Sequence, residues 1–230
     1  VEFKRGFLHA GNVIATRREA QELGEHPRWR TADALSCNDG AFFAGKGVAN
    51  LRCAGTKFAL REVEGGEMTW VRRRGGNALK TSVLRVLHKL GVVPPWQVLQ
   101  LGAFYYDLPA GLSLPHTHTL LIADSRFVPN LTSFRGLRHL VMPLNFLLEP
   151  LPLMRPLERI TFMGQHVHFA FDAASPQGRV LSLDAKSSSK GIQLYDRGGL
   201  TSPEQVLERL AAWVARGRIP FRTVQGVEVE

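Results

Sequence analysis

A short phrase returns about every twenty residues through the middle of this chain, and it restricts the fold to a repeat architecture. The fullest copy is Leu137-x-x-Leu140-x-Met142-x-x-Asn145-x-Leu147. Before it stands Thr117-x-x-Leu120-x-Ile122, continued by Ser125 and Phe127. After it stands Leu157-x-x-Ile160-x-Phe162, continued by Gln165 and Val167. A further copy, Trp96-x-x-Leu99-x-Leu101, precedes them, with Phe104 at the position that Asn145 holds. A strand this short cannot bury its apolar side alone, so neighbouring copies must stack and share one continuous core.

Outlying copies extend the frame. Val48-x-x-Leu51-x-Cys53, followed by Thr56 and Phe58, fits it, as do Gly178-x-x-Leu181-x-Leu183 and Val224-x-x-Val227-x-Val229. Other segments carry helix and turn signals. Thr16-Arg17-Arg18-Glu19 is a capping box, and Gly24 suits a left-handed stop, which predicts a helix over 17–23. Phe58–Val63 and Met68–Arg73 flank Glu64-Gly65-Gly66-Glu67, which predicts a hairpin that interrupts the repeats and caps their first end. Leu79, Val83, Val86, Leu87 and Leu90 share a face of a predicted helix over 77–90. The prolines between later strands favour short 3₁₀ turns over long helices. Ser202-Pro203-Glu204-Gln205 starts a helix that Gly217 stops. The resulting division is a mixed α/β region over 1–95, with one repeat and a hairpin, and a repeat region with a helix–strand cap over 96–230.

The phrase resembles that of leucine-rich repeats, and the chain is similar to a short, degenerate member of that family. Segments such as Phe134–Leu153 resemble the irregular repeats of F-box-type leucine-rich proteins, without an F-box. The resemblance implies an α/β solenoid of short parallel strands with one broad binding face. It also implies that Asn145 turns inward to satisfy backbone groups in the bend after its strand.

Charge narrows the partners. Lys and Arg number 29 against 20 Asp and Glu, for a net charge of +9, and the pI is near 10.1. Such a balance favours nucleic acid, anionic lipid or an acidic protein surface. Two cysteines, Cys37 and Cys53, are too few for a disulfide-dense secreted scaffold and suit a reducing compartment. No apolar run approaches the roughly 18 residues of a membrane span. The chain opens at Val1 without a leader signal in its first residues, which is compatible with a trimmed chain or with a processed protein of the mitochondrial matrix.

In the repeat frame, residues between the inward positions form columns. One column is His118, Arg138, Glu158, Arg179, and the next is Thr119, His139, Arg159, Val180. Neighbours in a column lie about 4.8 Å apart, so Arg138 can pair with Glu158, and the strip can hold acidic side chains or phosphates. A second basic cluster, Arg72, Arg73, Arg74, Lys80, Arg85 and Lys89, has the density that phosphate contacts need. It lacks the interleaved aromatics of base stacking.

The C-terminal third carries a different resemblance. Asp172, a Ser-Pro-Gln-Gly turn and Asp184-Ala185-Lys186 at a strand end resemble the PD-(D/E)xK nucleases. That family would use Asp172 and Asp184 to hold Mg²⁺ and Lys186 to activate water. It would make 168–172 and 180–185 an antiparallel hairpin, where the repeat reading makes the strands near 160 and 181 parallel neighbours. The pairs His116/His118 and His166/His168 have no third ligand in local register, so no metal site is expected. The combined expectation is a non-enzymatic scaffold subunit of a larger assembly, without cofactor, that binds protein subunits or RNA.

Overall fold

The computed structural model describes residues 2–4, 7–62, 68–73, 75–102, 108–122, 131–143, 157–163, 167–172, 178–183 and 227–228. They form a mixed α/β protein built on a mostly parallel sheet with few helices. The chain divides into two compact units, Val1–Leu60 with Trp70–Leu137, and Arg61–Thr69 with Arg138–Glu230.

In the first unit, β1 (Glu2–Lys4) and β2 (Phe7–Val13) are antiparallel. From β2 to β8 the strands of this sheet pair in parallel among the described residues. β2 pairs with β3 (Ala34–Cys37), β3 with β4 (Cys53–Ala54), β4 with β7 (Val98–Leu101), and β7 with β8 (Thr119–Ile122). Between β4 and β7 the chain leaves the sheet. β5 (Phe58–Glu62) and β6 (Met68–Arg72) form a two-stranded sheet of their own, and helix α2 (Thr81–Lys89) follows. The hairpin therefore interrupts the parallel strands and does not cap their first end, because β2 and β3 precede it in the same sheet.

The register gives the true frame of the early strands. Leu35 stands against Ala54, and Ala54 against Leu99. The copy expected at Val48, Leu51 and Cys53 is thus displaced by three residues. Leu51, Ala54 and Thr56 align with Trp96, Leu99 and Leu101. Lys46–Val48 is instead a 3₁₀ turn. Earlier copies, Ala32-x-x-Leu35-x-Cys37 and Leu8-x-x-Gly11-x-Val13, follow from the same register. All these aligned positions are buried, and Leu35, Ala54, Leu99, Leu101, Leu120 and Ile122 are 0% exposed. Each fully buried Leu or Ile contributes about 1.5–3 kcal/mol.

Helix α1 spans Arg17–Gly24, and both hydrogen bonds of its capping box form between Thr16 and Glu19. The backbone and hydroxyl bonds from Thr16 hold the Glu19 carboxyl below its ordinary range. α1 and α2 both pack on the 3₁₀ segment Gly40–Ala44. Gly40 must be glycine there, because a Cβ would lie 2.6 Å from the Val83 carbonyl of α2. An edge-to-face aromatic chain runs through this layer, with Trp29–Phe42 at 5.4 Å, Phe42–Phe43 at 5.2 Å and Phe43–Trp96 at 5.0 Å. α2 begins four residues later than the periodicity predicts. Leu79 instead bridges Leu101 in parallel, its amide donating to the Gln100 carbonyl at 2.8 Å.

In the second unit, β9 (His139–Pro143) pairs in parallel with β10 (Arg159–Met163), Leu140 against Ile160 and Met142 against Phe162, at the expected step of twenty. The next strand breaks the parallel order. β11 (Val167–Asp172) is antiparallel to β10 and to β12 (Gly178–Leu183), so β11 and not β12 lies against β10. β12 pairs in parallel with β13 (Val227–Glu228). The Glu64–Glu67 turn, Phe104, Ser125, Phe127, Asn145, Leu147, Gln165 and the helix expected between Ser202 and Gly217 lie outside the described residues.

Phe42 is 0% exposed and touches two aromatic neighbours. Phe42→Ala should cost about 3–5 kcal/mol, read as a lower urea midpoint by circular dichroism with an unchanged slope.

Candidate binding strip

The residues just before β3, β4, β7, β8 and β10 are polar, and the register stacks them, with His9 within β2 and Arg138 before β9, into columns. In the first unit the column is His9, Asp33, Arg52, Gln97 and His118. A backbone ladder fixes it: the Asp33 amide donates to the His9 carbonyl (2.9 Å), the Gln97 amide to Arg52 (2.9 Å), and the His118 amide to Gln97 (3.0 Å). Side chains then pair along the column. His9 Nδ1 lies 2.8 Å from Asp33 Oδ2, and Arg52 donates to Gln97 Oε1 through Nε (3.1 Å) and Nη2 (2.9 Å). His118 Nδ1 is hydrogen-bonded to Thr119 Oγ1 at 3.0 Å.

The second unit repeats the device. The Glu158 amide donates to the Arg138 carbonyl at 2.8 Å, and Arg138 Nε lies 3.7 Å from Glu158 Oε1 with both side chains 68% exposed. At that exposure the pair contributes about 0–1 kcal/mol. The expected Arg138–Glu158 neighbourhood is therefore present, and His118 holds the same strand-start position in its own unit. Arg179 leaves the column, because β11 intervenes and Arg179 stands against Ala170. Sequence reading missed His9, Asp33, Arg52 and Gln97. Their signal, a polar residue two before each strand's frame position, is hidden until the early register is known.

In the adjacent column His139 stands against Arg159. His139 Nε2 bonds Thr161 Oγ1 at 2.9 Å. The Arg159 Nε is buried and finds no hydrogen-bond partner.

Towards the middle of the strands the face expected to be open is closed. Strand alternation points Ser36, Gln100, Leu121, Val141 and Thr161 away from the leucine frame, yet all are at most 3% exposed. In the first unit the chain that departs after β4 supplies the cover. Gln100 Oε1 accepts from the Phe58 amide (2.7 Å), and its Nε2 donates to the Phe58 carbonyl (3.0 Å) and to Cys53 Sγ (3.3 Å). Asn12 Oδ1 accepts from Ser36 Oγ (2.6 Å) and from Thr56 Oγ1, and Asn12 Nδ2 donates to the Gly75 carbonyl (3.0 Å). Gly55, at φ +110, passes so close that a Cβ would lie 2.5 Å from Gln100 Cβ. In each unit the accessible polar surface is thus the strand starts, not a broad sheet face. Its charges are of both signs, so it is polar and internally paired where the sequence suggested a basic strip.

The basic cluster lies in the departing chain. Arg72 ends β6, and the Arg73 amide donates to the Lys57 carbonyl at 2.7 Å. Lys80 is the N-cap of α2, while Arg85 and Lys89 lie one helical turn apart on its exposed side. Arg74 lies outside the described residues. Of the nuclease set, Asp172 ends β11, opposite Arg159 in the antiparallel register, and Asp184 and Lys186 lie outside the described residues. His166 does too, and among the described residues no cluster of potential metal ligands forms. No helix among them is long and apolar enough to cross a membrane. No known protein family, curated protein or solved structure matches the chain.

Two measurements check this arrangement. A double-mutant cycle on Arg138→Ala and Glu158→Ala should give a coupling below about 1 kcal/mol that shrinks with salt. Burial pushes the Cys53 thiol up from 9.0 to about 12, with the Asp33 charge adding and the Gln100 bond opposing. The folded state therefore keeps a proton that the unfolded chain releases above about pH 9. Stability from this group is complete below that pH and falls by about 1.4 kcal/mol per unit as pH rises towards 12. Urea melts between pH 9 and 11 should show that slope, and Cys53→Ala should remove it.

Proposed function

We propose that this chain is a non-catalytic scaffold subunit of the leucine-rich-repeat kind, degenerate in sequence, that docks a protein partner along the strand-start strip. The observation that carries this reading is the ladder His9–Asp33–Arg52–Gln97–His118, with its counterpart Arg138–Glu158. A stack of exposed and half-buried, prepositioned polar groups at one strand spacing suits side chains of an opposing protein surface. Internal pairing leaves the strip little net charge, which favours a polar protein partner over a phosphate backbone. The buried leucine frame and parallel register support the repeat kinship.

The test is native size in extract from the protein's source, with and without RNase. The expected result is a particle well above 25.6 kDa that survives RNase and is lost on Arg52→Glu with Arg138→Glu. A particle that collapses on RNase would assign the strip to RNA, and a free monomer would sink the scaffold reading.

One observation favours a second reading. β11 and β12 form the antiparallel hairpin that a PD-(D/E)xK nuclease core needs, with Asp172 at the end of β11. That reading predicts Mg²⁺-dependent cleavage of DNA or RNA that Asp184→Ala abolishes, while native size stays unchanged.

A further inference from the structure

We propose that the outward side of α2 and the turn after it form a docking surface for an anionic phospholipid membrane. Charge comes first. From Gly75 to Gly102 the chain carries Lys80, Arg85 and Lys89 and no Asp or Glu. Lys80, Arg85, His88 and Lys89 are all exposed, and α2 holds no carboxylate. The inward side of the same helix, Thr81, Val83, Leu84 and Leu87, is buried, so the basic side points to solvent.

The apolar component decides the chemistry of the partner. Directly after Lys89 the chain turns through Gly91, at φ +66, and presents Leu90 at 48% and Val93 at 55% exposure. Among the described residues these are two of the five large apolar side chains left in water. A second uncharged turn lies beside them: Gly111 approaches His88 Cε1, with a Cβ placed 3.9 Å away, and Pro109 to Leu112 closes that turn by a backbone bond of 3.1 Å. Aliphatic tips rimmed by cations match the interface of an anionic bilayer, where apolar side chains enter the acyl boundary and cations meet lipid phosphates. Base stacking relies mostly on exposed Phe, Tyr or Trp rings, and α2 and the turn after it carry none.

The experiment is flotation of the full chain with vesicles of phosphatidylcholine alone and with vesicles enriched in phosphatidylserine. The protein should float only with the anionic vesicles, and less as salt rises. Removing one interfacial charge, Lys89→Gln, should lower partitioning about fivefold. Leu90→Ser with Val93→Ser should lower it by roughly tenfold or more, through loss of buried methylenes. All these side chains are exposed, so circular dichroism should show the variants folded. Three results overturn the proposal: no flotation with anionic vesicles, flotation indifferent to both sets of substitutions, or flotation that RNase abolishes.

Discussion

The side-chain amide of Gln100 is the contact on which the arrangement of the first unit turns. It projects from the face opposite the leucine frame, is 0% exposed, and returns both its polar atoms to the backbone of Phe58. A buried amide left unpaired costs about 1–3 kcal/mol per group. The chain leaving β4 therefore has to lie over the sheet at this point, and Asn12 and Thr56 hold the same excursion at Gly75 and Asn77. Because the excursion is pinned at both its departure and its return, β6, Arg73 and the start of α2 take fixed places. The closed face and the position of the basic surface are two consequences of one set of hydrogen bonds.

That closure separates two kinds of polar surface. The strand-start residues remain accessible because the backbone ladder there precedes the covered part of each strand. Their polar groups pair with one another, as His9 with Asp33, Arg52 with Gln97 and Arg138 with Glu158, so the strip carries little net field. α2 and the turn after it carry Lys80, Arg85 and Lys89 and no carboxylate, so they hold a local excess of positive charge that the strip lacks.

Much of this was legible where local chemistry decides it. The Thr16–Glu19 capping box fixes α1, and the leucine spacing places β7, β8, β9 and β10, because each of those strands carries bulky apolar residues at all three frame positions or at two with a buried Thr. β2 and β4 escaped because their middle positions are Gly11 and Ala54, whose small side chains carry no periodic signal, and β3 because small Ala32 and Cys37 flank its Leu35. Leu51 and Cys53 then offered a false frame three residues away. The antiparallel turn into β11 was visible only as a competing motif. Closure of the sheet face was not legible at all, since it depends on Gln100 meeting Phe58 across forty-two residues. A polar residue between two leucines reads as solvent-facing until the partner is known.

Ionic strength distinguishes the two surfaces physically. Contacts made by an internally paired strip exchange one set of ion pairs for another, so screening weakens both sides of the exchange and the net dependence is shallow. A surface with an excess of exposed cations attracts an anionic partner through its net positive field, and that attraction falls steeply as the Debye length shortens to about 8 Å at physiological salt. Exposed Leu90 and Val93 add an apolar contribution that salt does not screen. A membrane contact at α2 would thus keep a residual salt-resistant component set by those two side chains, whereas a phosphate backbone bound by the same cations would keep none.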